Sequence, residues 1–167
     1  MKKFIFSVLI LIVIYPLISN SQGTFHIVGS GSIQNTNNTY PSIYGNFYRG
    51  VKNQFIIRAS EMQAAGMSAG TITGMGFNVI STSGATLDNF EIEIKSTTQS
   101  SITSWDNNNL TTCFGPVNYT DQTGWNQHDF NSPFQWDGIS NILVKTCFYN
   151  NGWADNSVMK MSNYTYN

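Results

Sequence analysis

Residues 89–95 read NFEIEIK, and this stretch decides the class of fold. Apolar and charged side chains alternate in it at every step, with Phe90, Ile92 and Ile94 on one side and Glu91, Glu93 and Lys95 on the other. Successive side chains of a β-strand point to opposite faces of the sheet, so the alternation predicts a strand with one face in the core and one in water. Half-buried strands of this kind are typical of antiparallel sheets.

The same period of two recurs along the chain on both sides of this stretch. Three further stretches show it clearly: Asn53–Ala59, Thr71–Val79 and Asn141–Tyr149. Four weaker candidates complete the set: Phe25–Val28, Thr111–Tyr119, Trp125–Phe130 and Val158–Tyr166. Loops rich in Asn, Gly and Ser separate these stretches, a composition that indicates turns. The sequence therefore predicts about seven or eight short strands and an all-β protein.

Strands of this kind, joined by long polar loops, predict an antiparallel β-sandwich. The loop lengths favour a jelly-roll arrangement, and an immunoglobulin-like or fibronectin-like sandwich is the alternative. One short helical turn is predicted near residues 60–66. Ser60 and Gln63 have the spacing of a capping box, and Gly66 can adopt the left-handed conformation that ends a helix.

The N-terminal residues are typical of a secretory signal peptide. Lys2 and Lys3 form a positive start, Phe4–Ile18 is apolar, and small residues follow up to Ser21. The apolar run is too short to span a membrane. We expect residues 1–21 to be removed by cleavage after Ser21, so that the protein is secreted or on the cell surface with no membrane span. Residues 22–167 then form a single β-sandwich domain, which we expect to be the N-terminal fragment of a longer protein.

Charge and composition narrow the classes of function. Without Lys2 and Lys3 the chain has 6 basic and 9 acidic residues, a net charge of −3. A chain with so few cations and no basic patch is poorly suited to bind nucleic acid. The polar content is mostly Asn, Ser, Thr and Gly, and aromatic residues make up 14% of the chain. This aromatic content argues against disorder and fits an extracellular β domain.

Two cysteines, Cys113 and Cys147, allow two interpretations. Outside the cell they can form a disulfide that closes a loop of about 35 residues, worth about 3–4 kcal/mol in the chain-entropy model. Alternatively, they are buried thiols or pair with a cysteine of another chain. Two cysteines this far apart, with no clustered histidines, do not form a zinc site.

Several stretches together carry a resemblance to a known kind of module: residues 39–79 (TYPSIYGNFYRGVKNQFIIRASEMQAAGMSAGTITGMGFNV), residues 87–98 (LDNFEIEIKSTT) and residues 123–150 (TGWNQHDFNSPFQWDGISNILVKTCFYN). The shared pattern is a Tyr-rich loop, a strand ending in Ser-Glu-x-x-x-Ala-Gly, a second strand opening on Gly-x-Ile-Thr, and the turn Trp-Asp-Gly-x-Ser-Asn. In these features the chain resembles an N-terminal β-sandwich module of large secreted or surface proteins of Bacteroidota.

The resemblance implies a building block of an exported protein. Fibronectin-like modules often follow such a domain, and a type IX secretion sorting domain often ends the protein, so the expected partners include downstream domains of the same polypeptide. Many proteins of this kind are described as adhesins or as partners of hydrolases. The resemblance implies no catalytic residues, and we expect the downstream modules and the sorting domain to lie beyond residue 167.

Candidate catalytic residues do not form a convincing set. His128 precedes Asp129, but neighbouring strand residues point to opposite faces and cannot act together as base and orienting acid. We therefore expect His128 to lie on a solvated strand. Glu91 and Glu93 share a strand face that we expect to be an ordinary solvent face, whereas a glycosidase places its two carboxyl groups across a cleft. The sequence predicts a protein that is not an enzyme.

Two loops carry oxygen ligands that calcium could use. They contain Asp106 and Asp155, each among several asparagines. Calcium requires six to eight oxygens, and neither loop has the acidic spacing of an EF-hand. Asn and Asp are also the ordinary residues of tight turns. Asp106 and Asp155 are therefore weak calcium candidates, and no other cofactor is expected.

Aromatic residues in loops and at strand edges are candidates for carbohydrate binding. Sandwich domains often bind sugars by stacking the sugar ring on an exposed aromatic ring, with nearby amides completing the contact. Five residues meet this description: Trp105, Trp153, Trp125, Tyr44 and Tyr48. The alternative is that these rings cover the ends of the sandwich, the commoner role of large aromatic residues.

Trp136, Asp137 and Gly138 resemble a site motif but are better interpreted as a structural turn. We expect Pro133 to end the preceding strand because it cannot donate to a ladder. Asp137-Gly138 is a strong turn dipeptide, and it sets the register of the strand that begins near Ile142.

The sequence thus predicts a non-catalytic extracellular structural or adhesive module. The alternative is a carbohydrate-binding module that accompanies a secreted hydrolase, with polysaccharide or a cell-surface glycan as the partner. The downstream sequence of the full gene product distinguishes the two.

Overall fold

The computed structural model describes residues 23–162. The predicted signal peptide lies outside the described residues, as does the end of the last predicted strand. Eight strands and one short helix form the domain: β1 (Ile33–Gln34), β2 (Gly50–Ile57), α1 (Ala59–Ala64), β3 (Gly70–Ser81), β4 (Thr86–Thr97), β5 (Thr111–Thr120), β6 (Gly124–Trp136), β7 (Asn141–Tyr149) and β8 (Val158–Met161). No helix among the described residues is long and apolar enough to cross a membrane.

The strands form two antiparallel sheets of four strands each. The first sheet has the order β1-β8-β3-β6 and the second the order β2-β7-β4-β5. Apart from the β4–β5 pair, strands that follow one another in the sequence lie in different sheets. This is the strand order of a jelly roll, and it confirms the predicted fold class over the immunoglobulin-like alternative.

The core lies between the two sheets and is built by the predicted alternation. In β4, Phe90, Ile92 and Ile94 are fully buried. In β7, the neighbouring strand of the same sheet, Ile142 and Val144 are buried on the same face. Fully burying a side chain of this size contributes about 1.5–3 kcal/mol, so these alternating positions supply much of the stability of the domain.

Leu143 is also fully buried, although it points to the outer face of the second sheet and lies outside the core cluster. The segment 98–110 crosses that face. It is fastened to the sheet by Gln54, whose side chain donates to the Asp106 carbonyl at 2.6 Å and accepts from the Asp106 N–H at 3.1 Å. Lys95 also bonds the Asp106 carboxylate. The segment therefore covers Leu143 and reaches the edge of β2.

Two predictions about strands were wrong. Phe25–Val28 is not a strand: Phe25 is exposed, and the short edge strand β1 lies further along the chain at Ile33–Gln34. Pro133 does not end a strand, because β6 continues through it to Trp136. Proline is tolerated there because β6 is an edge strand and its pairing with β3 is irregular at this point.

The helical turn exists but begins earlier than predicted. The helix starts at Ala59, and the Arg58 N–H donates to the Glu61 carboxylate at 2.8 Å. The reciprocal residue of the capping box is therefore Glu61, three positions after Arg58, and not Gln63 after Ser60. The predicted stop is right, because Gly66 has φ 87°.

Candidate ligand-binding surface

One end of the sandwich is formed by the segments 35–49, 82–85, 121–123 and 150–157, and we call it the loop end. Asn156 holds two of these segments together. Its side-chain oxygen accepts the Phe47 N–H at 3.0 Å, and its amide nitrogen donates to the Thr39 carbonyl at 3.1 Å. The Asn46 carbonyl accepts a second inter-loop bond, from the Ala154 N–H. Asn46 and Asn156 are both buried, so the loops are tied by bonds that water does not weaken.

A glycine permits the close approach of these two loops. A Cβ atom at Gly45 would lie 2.7 Å from the Tyr40 ring and 3.0 Å from the side-chain oxygen of Asn156. The hydroxyl of Tyr40 donates to the Gly45 carbonyl at 3.2 Å. Gly45 thus lets the Tyr40 ring lie directly against the loop backbone.

Four rings form a continuous surface on this frame, and we call it the loop-end patch. Tyr40 and Tyr48 are stacked with ring centroids 5.8 Å apart, Phe47 contacts Tyr48 edge-on at 5.2 Å, and Trp153 contacts Phe47 at 6.3 Å. Two of the four rings remain open to solvent, with Tyr48 71% and Trp153 67% exposed. Rings of this size usually lie in the interior, so two that stay exposed on a rigid frame indicate a contact surface.

The five predicted aromatic residues lie in four different places. Tyr48 and Trp153 belong to the loop-end patch. Trp105 is 57% exposed and lies in the segment that crosses the second sheet. Trp125 is exposed on the outer face of the first sheet, in β6, which is the edge strand on the side away from β1. Tyr44 is fully buried, so its prediction as a ligand-contacting ring was wrong.

Tyr44 belongs to the core cluster, and its hydroxyl has a buried histidine as its polar partner. Its hydroxyl lies 2.7 Å from Nε2 of His128, which is itself fully buried. The His128 ring packs against Tyr119 at 4.5 Å and against Phe114 at 4.6 Å. The expectation that His128 lies on a solvated strand was wrong. Its neighbours two positions away, Asn126 and Phe130, also face inward, and the same period of two could have placed it.

Burial perturbs the titration of the groups around this histidine. It lowers the pKa of His128 to about 4, and the neighbouring Asp129 only partly opposes the shift. Burial likewise raises the pKa of Tyr44 and of Asp121, a residue of the loop-end segment 121–123. Burial therefore keeps the His128 ring neutral near pH 7 while it bonds Tyr44 in the core.

Both cysteines are free thiols, so the disulfide interpretation is not supported. Cys113 is buried in the core cluster, whereas Cys147 faces outward on β7. β4 separates the strands that carry the two cysteines, and neighbouring strands lie about 4.8 Å apart, which places the residues too far apart for a disulfide. Desolvation raises the pKa of Cys113 to about 11 and that of Cys147 to about 12.

Charged side chains on the outer face of the second sheet are mostly paired with one another. Glu93 forms an ion pair with Lys145, and the Cys147 thiol donates to Glu91 at 2.8 Å. Glu91, Glu93 and Cys147 bring their ligand atoms within 4.8 Å of one another, the single such group of three found among residues 23–162. Lys145 already supplies a positive charge to this group.

The two calcium candidates have other polar partners. Lys95 and the Asn108 N–H bond the carboxylate of Asp106, and the bond from Lys95 is the main reason why the pKa of Asp106 is low. Asp155 accepts a hydrogen bond from Asn37 at 3.3 Å. Calcium binding at either residue stays a prediction.

The segment Trp136–Gly138 forms a tight turn. Asp137 accepts the backbone N–H of Ile139 at 3.0 Å and of Ser140 at 2.8 Å, while the Ser140 hydroxyl donates to its other oxygen at 2.6 Å. The indole N–H of buried Trp136 donates to the Ser140 carbonyl at 2.7 Å. Gly138 has φ 84°, which favours glycine. The turn is internally satisfied and joins β6 to β7 across the two sheets.

Comparison with protein-family models, with curated proteins and with solved structures gives no match.

Proposed function

We propose that this chain is a non-catalytic adhesive module of an exported or surface protein, of the Bacteroidota kind that its motifs resemble, and that it attaches to polysaccharide through the loop-end patch. The observation that carries the proposal is the set of four contiguous rings on a bonded frame, with Tyr48 and Trp153 mostly exposed. A surface that is ordered before binding loses little conformational entropy when the ligand arrives.

Carbohydrate fits this surface better than a purely apolar ligand. The face of an aromatic ring is electron-rich and attracts the polarised C–H groups of a sugar ring. Polar side chains lie beside the rings: Asn37, Asn151 and Arg49 are exposed on the same loops. They can form hydrogen bonds with sugar hydroxyls while the aromatic rings stack on the apolar face of the sugar.

The surroundings of the candidate acids and bases support a non-catalytic role. His128 is enclosed in the core and bonded to Tyr44, out of reach of a substrate. Glu91 and Glu93 lie on one face of one strand, each bonded to a neighbouring side chain. They do not face each other across a cleft as the carboxyl pair of a glycosidase does.

A carbohydrate-binding module that accompanies a secreted hydrolase is the second candidate, and the same patch supports it. The downstream sequence separates the two: a hydrolase domain favours this candidate, whereas repeats and a sorting domain favour the adhesive module.

The test is retention of the purified protein on polysaccharides, by pull-down on insoluble cellulose, chitin and xylan and by affinity electrophoresis in soluble glucans, galactans and polyuronates. We expect at least one to retain it, and Tyr48→Ala with Trp153→Ala to weaken retention roughly tenfold or more, as for loss of interface aromatic residues. Trp125→Ala is the matched control, because it removes an exposed tryptophan from another face. The proposal fails if no polysaccharide retains the protein, or if the double variant binds as well as the control.

A further inference from the structure

The outer face of the second sheet extends the loop-end patch along β2. Gly50, Lys52 and Gln54 point outward on β2, in register with Tyr149, Cys147 and Lys145 of β7. Tyr149 is exposed, and its ring lies against Gly50: a Cβ atom at Gly50 would be 3.2 Å from the ring. Because Gly50 has no side chain, the Tyr149 ring can lie over it and stay exposed next to the loop-end patch.

A second aromatic ring lies further along the same strand. The segment 98–110 and β2 enclose a shallow groove of about 410 Å³, lined mainly by Lys52, Gln54 and residues 102–105. Trp105 forms one wall and is 57% exposed. The double hydrogen bond between Gln54 and Asp106 holds that wall in place. From Gly50 to Gln54 the strand rises about 13 Å, so Tyr149 and Trp105 lie at the two ends of a track, not in one pocket.

Two cations lie along this track and have no acidic partner in the part of the chain that the structure describes. Lys95 is paired with Asp106 and Lys145 with Glu93, whereas Arg49 and Lys52 are exposed and form no ion pair within residues 23–162. Glu91 is the acidic side chain nearest in register to Lys52, but Cys147 lies between them and donates its thiol to Glu91. Residues 23–162 have a net charge of −3, whereas Arg49 and Lys52, three positions apart near the start of β2, are both positive.

We infer that the ligand is an acidic polysaccharide and that its chain extends from the loop-end patch along this track to Trp105. The rings of Tyr149 and Trp105 stack on the apolar faces of its sugars, and Arg49 and Lys52 bind its carboxylates. The planar guanidinium of Arg49 matches a carboxylate, and Lys52 supplies a point charge. This inference rests on the proposed function, because the track begins at the patch.

The test compares two polymers of similar length, polygalacturonate and a neutral galactan, at low and at high salt. We expect polygalacturonate to bind roughly tenfold more tightly at low salt, with the difference shrinking at high salt because exposed charges are screened. Arg49→Gln with Lys52→Gln should remove this preference by weakening polygalacturonate binding at low salt to about the level of galactan binding. Lys160→Gln, which removes an exposed cation from β8 in the other sheet, is the matched control.

Trp105→Ala tests the length of the track and should weaken binding of long polyuronate chains more than that of dimers. The inference is overturned if the two polymers bind equally, if the variant without Arg49 and Lys52 keeps the preference, or if Lys160→Gln has the same effect. In those cases retention on neutral polysaccharide still supports the proposed function. If neither polymer nor any other polysaccharide is retained, both proposals fail.

Discussion

The buried histidine predicts a pH dependence of stability that can be worked out from its surroundings. His128 has a pKa of about 4 in the folded protein because it is desolvated, against a usual value of 6.5. At about 1.4 kcal/mol for each pKa unit, this difference is worth about 3 kcal/mol. Because the folded pKa is depressed, the stabilisation is fully present above pH 6.5. It is lost as the pH falls toward 4, since the unfolded chain takes up the proton first.

The assay is urea unfolding followed by tryptophan fluorescence, at several pH values between 7 and 4.5. The comparison is with His128→Gln, which keeps an uncharged hydrogen-bonding group at this position. Burial raises the pKa of Asp121, and a carboxyl group of this kind has the opposite pH dependence. That contribution is common to both proteins and cancels in the difference.

We expect the free energy of unfolding of the parent protein to fall by about 2–3 kcal/mol more than that of the variant between pH 7 and pH 4.5. The variant can be less stable at every pH without affecting this result, because the slope is what is measured. Parallel curves would refute the reasoning, and so would a steeper loss in the variant. Either result would mean that His128 is solvated or already charged in the folded state.

Three further predictions concern the fold. Gly138→Ala should destabilise the protein by about 1–3 kcal/mol, because the position has positive φ and a Cβ atom would lie 2.9 Å from the Ala69 Cβ. Gly84→Ala, also at positive φ but with open space around it, should cost less in the same denaturation experiment. Phe90→Ala should cost about 3–5 kcal/mol through the cavity it leaves, whereas Val117→Ala, at an exposed position of an edge strand, should change stability by less than about 1 kcal/mol. Thiol titration should find both cysteines free in denaturant and both slow to react in the native protein, since burial raises their pKa; finding no free thiol would contradict the structure.

The strands were predictable where local pattern and tertiary environment agree. The period of two in 89–95 and in Asn141–Tyr149 marks strands with one buried face, and the structure has β4 and β7 there. Strand prediction failed where the outcome depends on contacts with residues that are distant in the sequence. Pro133 stays in a strand because an irregular edge leaves its missing N–H without consequence, and Phe25–Val28 has apolar residues but no neighbouring strand to pair with.

The candidate surface was predictable only in part. Tyr48 and Trp153 were identified from residue type and polar neighbours, but the same reasoning selected Tyr44, which bonds His128 in the core. Tyr40 and Phe47 were missed, although both lie close to Tyr48 in the sequence. Residue type does not show which side of a loop faces water.

By itself, the sequence determined the class of fold, because side-chain alternation, turn residues and aromatic content depend on neighbours within a few positions. The tertiary structure alone decided which rings meet. The loops 35–49 and 150–157 are more than a hundred residues apart, and bonds from Asn46 and Asn156 bring them together to form the loop-end patch. It also decided that Arg49 and Lys52 form no ion pair among the described residues, because ion pairing on the second sheet depends on strand register, and register is set by the packing of the whole sandwich.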